Sequence, residues 1–243
     1  MTKSQFLKLS TLLSFMAPLL AFGALDEALQ TKPEWASVKQ VFVPAGFDNN
    51  DNAQVIVSGF LPNLCYKAPT AKVSVTGQSI FISVKVLVDP TKQQCLQMIV
   101  PFLEPVSLGA LPAGEYKIFV NPTSSSYVSS KINIENVSLD QPVDNYVYAN
   151  VSAIEKVQGT RKVKLKGENP STCVTLDRVE FQSNKKDTYA VLPIMKKVSD
   201  ICAQMMVPFE YEAEVPNELK GAEDVLLHVR VMNGKSVNET VKN

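Results

Sequence analysis

Apolar and polar positions alternate along most of the chain beyond residue 37, the pattern of strands buried on one face. Val38, Val41 and Val43 open a first strand, and Val55-Ile56-Val57 a second, closed by Gly59-Phe60-Leu61-Pro62. Val73 and Val75 mark a third. Ile80 to Val88 is a long β-branched run that predicts a central strand, ended by Asp89-Pro90. Tyr116 to Val120 and the segment Tyr127 to Val137, with alternating Ile132 and Ile134, complete the set. Turn residues lie between them: Pro44-Ala45-Gly46, Asp48 to Asn52, Gly77-Gln78, Pro112-Ala113-Gly114 and Asn121 to Ser126. A second set follows, with Val163 and Leu165, then Val225 to Met232, the hairpin signal Asn233-Gly234 and a last strand over Lys235 to Val241. No segment carries a convincing helical period. The pattern predicts an all-β chain of two tandem antiparallel β-sandwich (Ig-like) domains.

The two sets are related. Cys95-Leu96-Gln97-Met98-Ile99-Val100-Pro101-Phe102 recurs as Cys202-Ala203-Gln204-Met205-Met206-Val207-Pro208-Phe209. Laid 108 positions apart, the halves run without a gap from Val38/Tyr146 to Cys65/Cys173, and Gly59-x-x-Pro62-x-x-Cys65 matches Gly167-x-x-Pro170-x-x-Cys173. That period exceeds a solenoid unit, so it reads as a domain duplication. The expected boundaries are a first domain over 38–137, a linker over 138–145 with Pro142, and a second domain over 146–243. The recurring stretch reads as a cysteine that closes the domain, a strand that enters the core and a Pro-Phe that ends it.

The N-terminus reads as a signal peptide over residues 1–23. Lys3 and Lys8 precede an apolar run from Leu9 to Phe22, and the small residues Ala21 and Gly23 suit cleavage after Gly23. A lead-in over 24–37 follows, with a turn of helix at Leu25, Ala28 and Leu29, then Trp35, expected to pack on the first domain. No other segment is long and apolar enough to span a bilayer. Export places the four cysteines in an oxidising compartment, where an even count implies disulfides. Four cysteines allow three pairings. The duplication selects Cys65 with Cys95 and Cys173 with Cys202, at separations of 30 and 29 residues. Each closed loop contributes roughly 3.6 kcal/mol in the chain-entropy model. The separations rule out close-spaced zinc knuckles and redox motifs. They are also too short for a true immunoglobulin domain, and neither half contains the Trp such a domain packs on its bridge.

Composition narrows function mainly by exclusion. Lys plus Arg and Asp plus Glu both number 24, so the chain lacks a nucleic-acid binder's basic footprint. The lone histidine, His228, shares a strand face with Leu226 and Arg230 and is expected to be exposed, so no catalytic triad is assembled. No phosphate-cradling loop, zinc motif or nucleophile elbow occurs. No enzyme activity, cofactor or metal is expected. Asp48-Asn49-Asn50-Asp51-Asn52 is rich in oxygen but lacks calcium-loop spacing and reads as a polar turn. Asn136-Val137-Ser138, Asn150-Val151-Ser152 and Asn238-Glu239-Thr240 fit the glycan acceptor pattern.

The halves differ in charge. Residues 38–135 hold 13 charged side chains and residues 146–243 hold 27. Lys162, Lys164 and Lys166 alternate along one strand, and Glu210, Glu212 and Glu214 along another. Neighbouring strands would make these rows a cross-strand ladder. The corresponding positions of the first half hold Gln54, Ile56 and Ser58, and Leu103, Pro105 and Ser107. Ile56 and Leu103, if outward, would form an apolar contact patch for the second domain or for a partner.

The pattern Gly59-x-x-Pro62-x-x-Cys65, then Cys95-x-Gln97-x-x-x-Pro101-Phe102 and Leu111-x-x-Gly114-x-Tyr116, resembles a disulfide-closed β-sandwich repeat of exported bacterial proteins of uncharacterised function. The resemblance implies a domain outside the cytoplasm and transfers no catalytic residue. The expected function is that of a non-catalytic binding or structural module, acting through protein-protein contacts in the periplasm or at the cell surface. Its expected partner is another envelope or extracellular protein. Two alternatives stand beside it: a periplasmic chaperone-like protein of two sandwiches, which would hold a carboxylate with an Arg and a Lys in its cleft, and a hydrolase or protease inhibitor without a recognisable motif.

Overall fold

The computed structural model describes residues 33–88, 94–137, 147–219 and 221–242. The signal segment 1–23, residues 24–32 of the lead-in and the linker 138–145 lie outside them. The described residues are all-β and form two sandwiches. The first uses β1 (Pro33–Trp35), β2 (Ser37–Phe42), β3 (Ala53–Leu61), β4 (Thr70–Thr76), β5 (Ser79–Leu87), β6 (Val100–Gly109), β7 (Gly114–Val120) and β8 (Val128–Ile134). The second uses β9 (Val151–Lys156), β10 (Lys162–Asn169), β11 (Val174–Ser183), β12 (Thr188–Lys197), β13 (Val207–Glu214), β14 (Asp224–Val231) and β15 (Lys235–Lys242).

Each sandwich pairs a three-stranded sheet with a larger one. In the first, β2–β3–β6 faces β4–β5–β7–β8, with β1 joined to the end of β5. In the second, β9–β10–β13 faces β11–β12–β14–β15. Val55, Val57 and Val106 meet Ile80, Ile82, Ile118 and Ile132 in one core. Val163 and Leu165 meet Val191, Leu227 and Val229 in the other. The disulfides join Cys65 to Cys95 and Cys173 to Cys202, with Cα separations of 5.6 and 5.1 Å. Pairing is antiparallel except between β5 and β7 and between β12 and β14. The strand between each of these pairs lies in the opposite sheet, so the chain returns beside its earlier strand in the same direction.

Two local readings change. The residues after Cys95 and Cys202 are not core strand. Leu96, Met98 and Ile99 are exposed, as are Met205 and Met206, and pairing begins only at Val100 and Val207. Pro101-Phe102 therefore starts a strand instead of ending one. The gapless alignment also fails in the first strand. Phe42 lies opposite Ile56, whereas Glu155 lies opposite Lys164, so these two residues are counterparts. The difference sits in the next loop, ten residues long at 43–52 and five at 157–161.

The shared glycine has a packing reason. Gly59 lies opposite Phe102 and Gly167 opposite Phe209. A Cβ on Gly59 would stand 2.6 Å from Phe102 Cζ and overlap the Ser37 carbonyl. One on Gly167 would stand 2.9 Å from Phe209 Cζ and overlap the Asn150 carbonyl. Gly167→Ala is therefore expected to destabilise the protein by about 1–3 kcal/mol. Urea unfolding checks this, and an unchanged midpoint would show that the backbone yields without cost.

Candidate functional site

Strand β14 organises the junction between the sandwiches. Its residues alternate, so Val225, Leu227, Val229 and Val231 enter the second core while Leu226, His228 and Arg230 face the other way. That second face is covered by the β2–β3–β6 sheet of the first sandwich. Phe42, Ile56 and Leu226 pack together fully buried, with Leu103 partly buried against them. Ile56 and Leu103 thus meet the second sandwich. His228, expected to be exposed, is 1% exposed, because a neighbouring sheet takes the place of solvent.

The longer β2–β3 loop closes on β14. Arg230 donates through Nη2 to the carbonyls of Gly46 at 2.6 Å and Ala45 at 3.0 Å, and through Nη1 to Asp51 Oδ2 at 3.3 Å. Its guanidinium lies 4.1 Å from the centre of the Phe47 ring, a cation–π arrangement. Burial pushes the Asp51 carboxyl above the usual carboxylate range, although the Asp48 backbone and Arg230 both pull it down. The oxygen-rich segment is a turn: Asp48 N–H donates to Asp51 Oδ2, and Asn50 N–H to Asp48 Oδ1. At the opposite end of the junction Lys39 pairs with Asp224 at 3.2 Å and Gln40 donates to Asp187 at 2.9 Å.

A chain of hydrogen bonds runs from His228 to the first sandwich. His228 Nδ1 lies 2.8 Å from Asn238 Oδ1, Asn238 Nδ2 donates to Ser236 Oγ, and Ser236 donates to Gln54 Oε1. Gln54 Nε2 donates to the Gly234 carbonyl at 2.8 Å. The donors run in one direction, which places the proton of neutral His228 on Nδ1. Burial is the main cause of a His228 pKa lowered to about 4, with Arg230 adding to it. The Asn238 amide of one glycan acceptor pattern is thereby engaged in this chain. A cleft of about 380 Å³ opens beside it, lined among others by Phe47, Asp51, Gln54, His228, Arg230 and Lys235.

The charged rows lie on the far side of the second sandwich. Lys162, Lys164 and Lys166 stand opposite Glu214, Glu212 and Glu210 on neighbouring strands β10 and β13. The ion pairs form mostly on the diagonal: Lys164 with Glu210 at 3.2 Å, Lys162 with Glu212 at 3.8 Å and Lys166 with Glu155 at 2.8 Å. Trp35 stands at the other extreme, on β1 opposite Lys85, whose ammonium lies 4.8 Å from the ring centre. Among the described residues no group of three His, Cys, Asp or Glu side chains is placed to hold a metal ion, and no helix is long and apolar enough to cross a membrane.

The fold is thus a pair of β-sandwiches, each closed by a disulfide. A family model described as the ORF11 beta-sandwich domain matches residues 55–129, from β3 into β8 of the first sandwich. No curated protein and no solved structure matches the chain.

Proposed function

We propose that this protein is an exported, non-catalytic binding module that works through protein-protein contacts in the periplasm or at the cell surface. The observation that carries the reading is the pair of apolar loops beside the disulfides. Leu96 is 66% exposed and Ile99 69%, and Ile201 is 91% exposed in the equivalent loop. Met98, Met205 and Met206 accompany them. Clustered apolar side chains held in water mark contact surfaces, and methionine adapts to partners of varied shape. The chaperone-like reading needs an Arg and a Lys to hold a carboxylate in the cleft; Lys235 lines it, but Arg230 is already committed to Asp51, Ala45 and Gly46, which favours the binding module.

The test is a pull-down from the native envelope with the mature chain. The paired changes Met98→Asp and Ile99→Asp, and separately Ile201→Asp and Met205→Asp, are expected to abolish capture of the partner. Their exposed positions keep the stability change within about 0.5 kcal/mol. Undiminished capture by both variants would remove the loops from the proposal.

A further inference from the structure

The first sandwich meets the second through β2–β3–β6, so the outer face of its larger sheet looks away from the junction. Alternation assigns that face. Ile80, Ile82, Val84 and Val86 enter the core, which turns Phe81, Ser83 and Lys85 outward on β5. Register carries the same face across the sheet. Phe119 on β7 lies opposite Phe81, Lys117 opposite Ser79, Lys72 on β4 opposite Ser83, and Trp35 on β1 opposite Lys85. The Phe81 and Phe119 rings stack at 5.3 Å, and the Lys85 ammonium lies 4.8 Å from the centre of the Trp35 ring. Trp35 is 39% exposed and Phe81 37%, so both rings meet water. The strand rise puts the Trp35–Lys85 pair roughly 13 Å along β5 from the phenylalanine pair. Hydroxyls of Thr70, Ser74 and Ser83 lie between them.

Charge on this sheet is one-sided. Its strands β1, β4, β5, β7 and β8 carry four lysines and two glutamates. Glu115 pairs with Lys131 at 2.8 Å, and Glu34 stands opposite Val86, on the other side of the sheet. Among the described residues, Lys72, Lys85 and Lys117 have no ion-pair partner. The lysines of β10, by contrast, are all paired. At the register position of Lys117 the second sandwich has Leu226, buried in the junction. The same sheet therefore packs on a neighbour in one half and holds aromatic rings among unpaired cations in the other. That combination selects its ligand. Pyranose rings present flat C–H faces that cover exposed aromatic rings, and hydroxyls that bond serine and threonine. An acidic sugar chain adds the anions that the three ammonium groups lack. Nucleic acid fits less well, because these strands carry no arginine and the cations and anions of the whole chain are equal in number.

We propose that this face binds an acidic polysaccharide, with sugar rings over Trp35, Phe81 and Phe119 and anionic groups on Lys72, Lys85 and Lys117. The inference is independent of the apolar loops beside the disulfides. Affinity electrophoresis of the purified protein tests it, in gels holding either heparin, whose sugars carry carboxylate and sulfate groups, or neutral dextran. Heparin should retard the wild type and dextran should not. Trp35→Ala with Phe81→Ala keeps every charge and should raise the Kd for heparin about tenfold. Lys72→Gln, Lys85→Gln and Lys117→Gln together should raise it on the order of 100-fold. The charge-matched change Lys162→Gln, Lys164→Gln and Lys166→Gln, on the ion-paired face, should leave it unchanged. Polyglutamate, an anion without rings, and oligothymidylate should each bind at least about tenfold more weakly than heparin. Absence of retardation by heparin, equal affinity for polyglutamate or tighter binding of oligothymidylate overturns the proposal. So does an equal loss from the two lysine variants, or an unchanged Kd in the aromatic one. Should the double aromatic variant fail to fold, Trp35→Ala alone, on the short strand β1, is expected to weaken heparin binding about threefold, and an unchanged Kd there is equally decisive against it.

Discussion

Replacing Arg230 by leucine is expected to lower the unfolding free energy by about 3–5 kcal/mol, the range for removing one partner of a buried ion pair. The Arg230 and Asp51 side chains are 9% and 12% exposed, so little water can substitute for the lost contact. The change leaves the Asp51 carboxylate buried without its cation and takes a donor from each of the Ala45 and Gly46 carbonyls. It also relieves one cost, because Arg230 Nε is buried with no acceptor. Urea unfolding at neutral pH reads the net effect. Asp51→Asn added to Arg230→Leu should recover part of the loss, and a double-mutant cycle isolates the pair. The pH dependence gives a further check. The Asp51 carboxyl already titrates above its ordinary value in the folded protein, and losing the guanidinium raises it further. The folded variant then binds more protons than the unfolded chain just above the ordinary carboxylate range. Its deficit should therefore shrink on acidification through that window. A loss under about 1 kcal/mol would place the pair with surface ion pairs.

The burial of Arg230 is not legible in its local sequence. Strand alternation correctly put His228 and Arg230 on the face opposite Val229, but alternation distinguishes two faces without saying which one meets water. Val225-Leu226-Leu227 was the available signal, since consecutive apolar residues suit a strand covered on both sides. The covering sheet comes from residues some 120–185 positions earlier, as in Leu103, Ile56 and Phe42 around Leu226, and no local pattern carries that distance. The disulfide pairing and strand neighbourhood of the charged rows were legible because the two halves can be compared with each other. The same comparison misled at the first strand, where equal spacing hid a five-residue difference in loop length. That difference shapes the junction: the longer loop supplies Ala45, Gly46, Phe47 and Asp51 to Arg230. The exposed loops after Cys95 and Cys202 resemble core strands for a related reason. Leu, Met and Ile resemble core by composition, and only their neighbours show that nothing covers them.

Acidification is expected to weaken the junction through His228. The unfolded histidine titrates near 6.5 and the folded one at about 4, so between these values the unfolded chain binds more protons. Stability from the neutral imidazole is fully present above pH 6.5 and is lost progressively as pH falls to about 4. The shift corresponds to about 3 kcal/mol. The surroundings explain why the proton is refused. Arg230 stands on the same strand, the Phe47 ring packs edge-on at 6.0 Å, and Asn238 on β15 offers an oxygen only to the nitrogen that already carries a proton. A second proton on Nε2 would be a buried charge facing a cation. Asp51, across the guanidinium, works in the opposite direction because its folded carboxyl is raised, so it gains stability as pH falls. The two contributions separate by variant. His228→Phe leaves Asn238 Oδ1 without its donor and should lower stability at neutral pH, but it removes the titrating group and should flatten the curve between pH 6.5 and 4. Urea midpoints for both proteins across that window decide the matter. If the wild type loses no more stability than His228→Phe on acidification, the buried imidazole is not what makes the junction acid-sensitive.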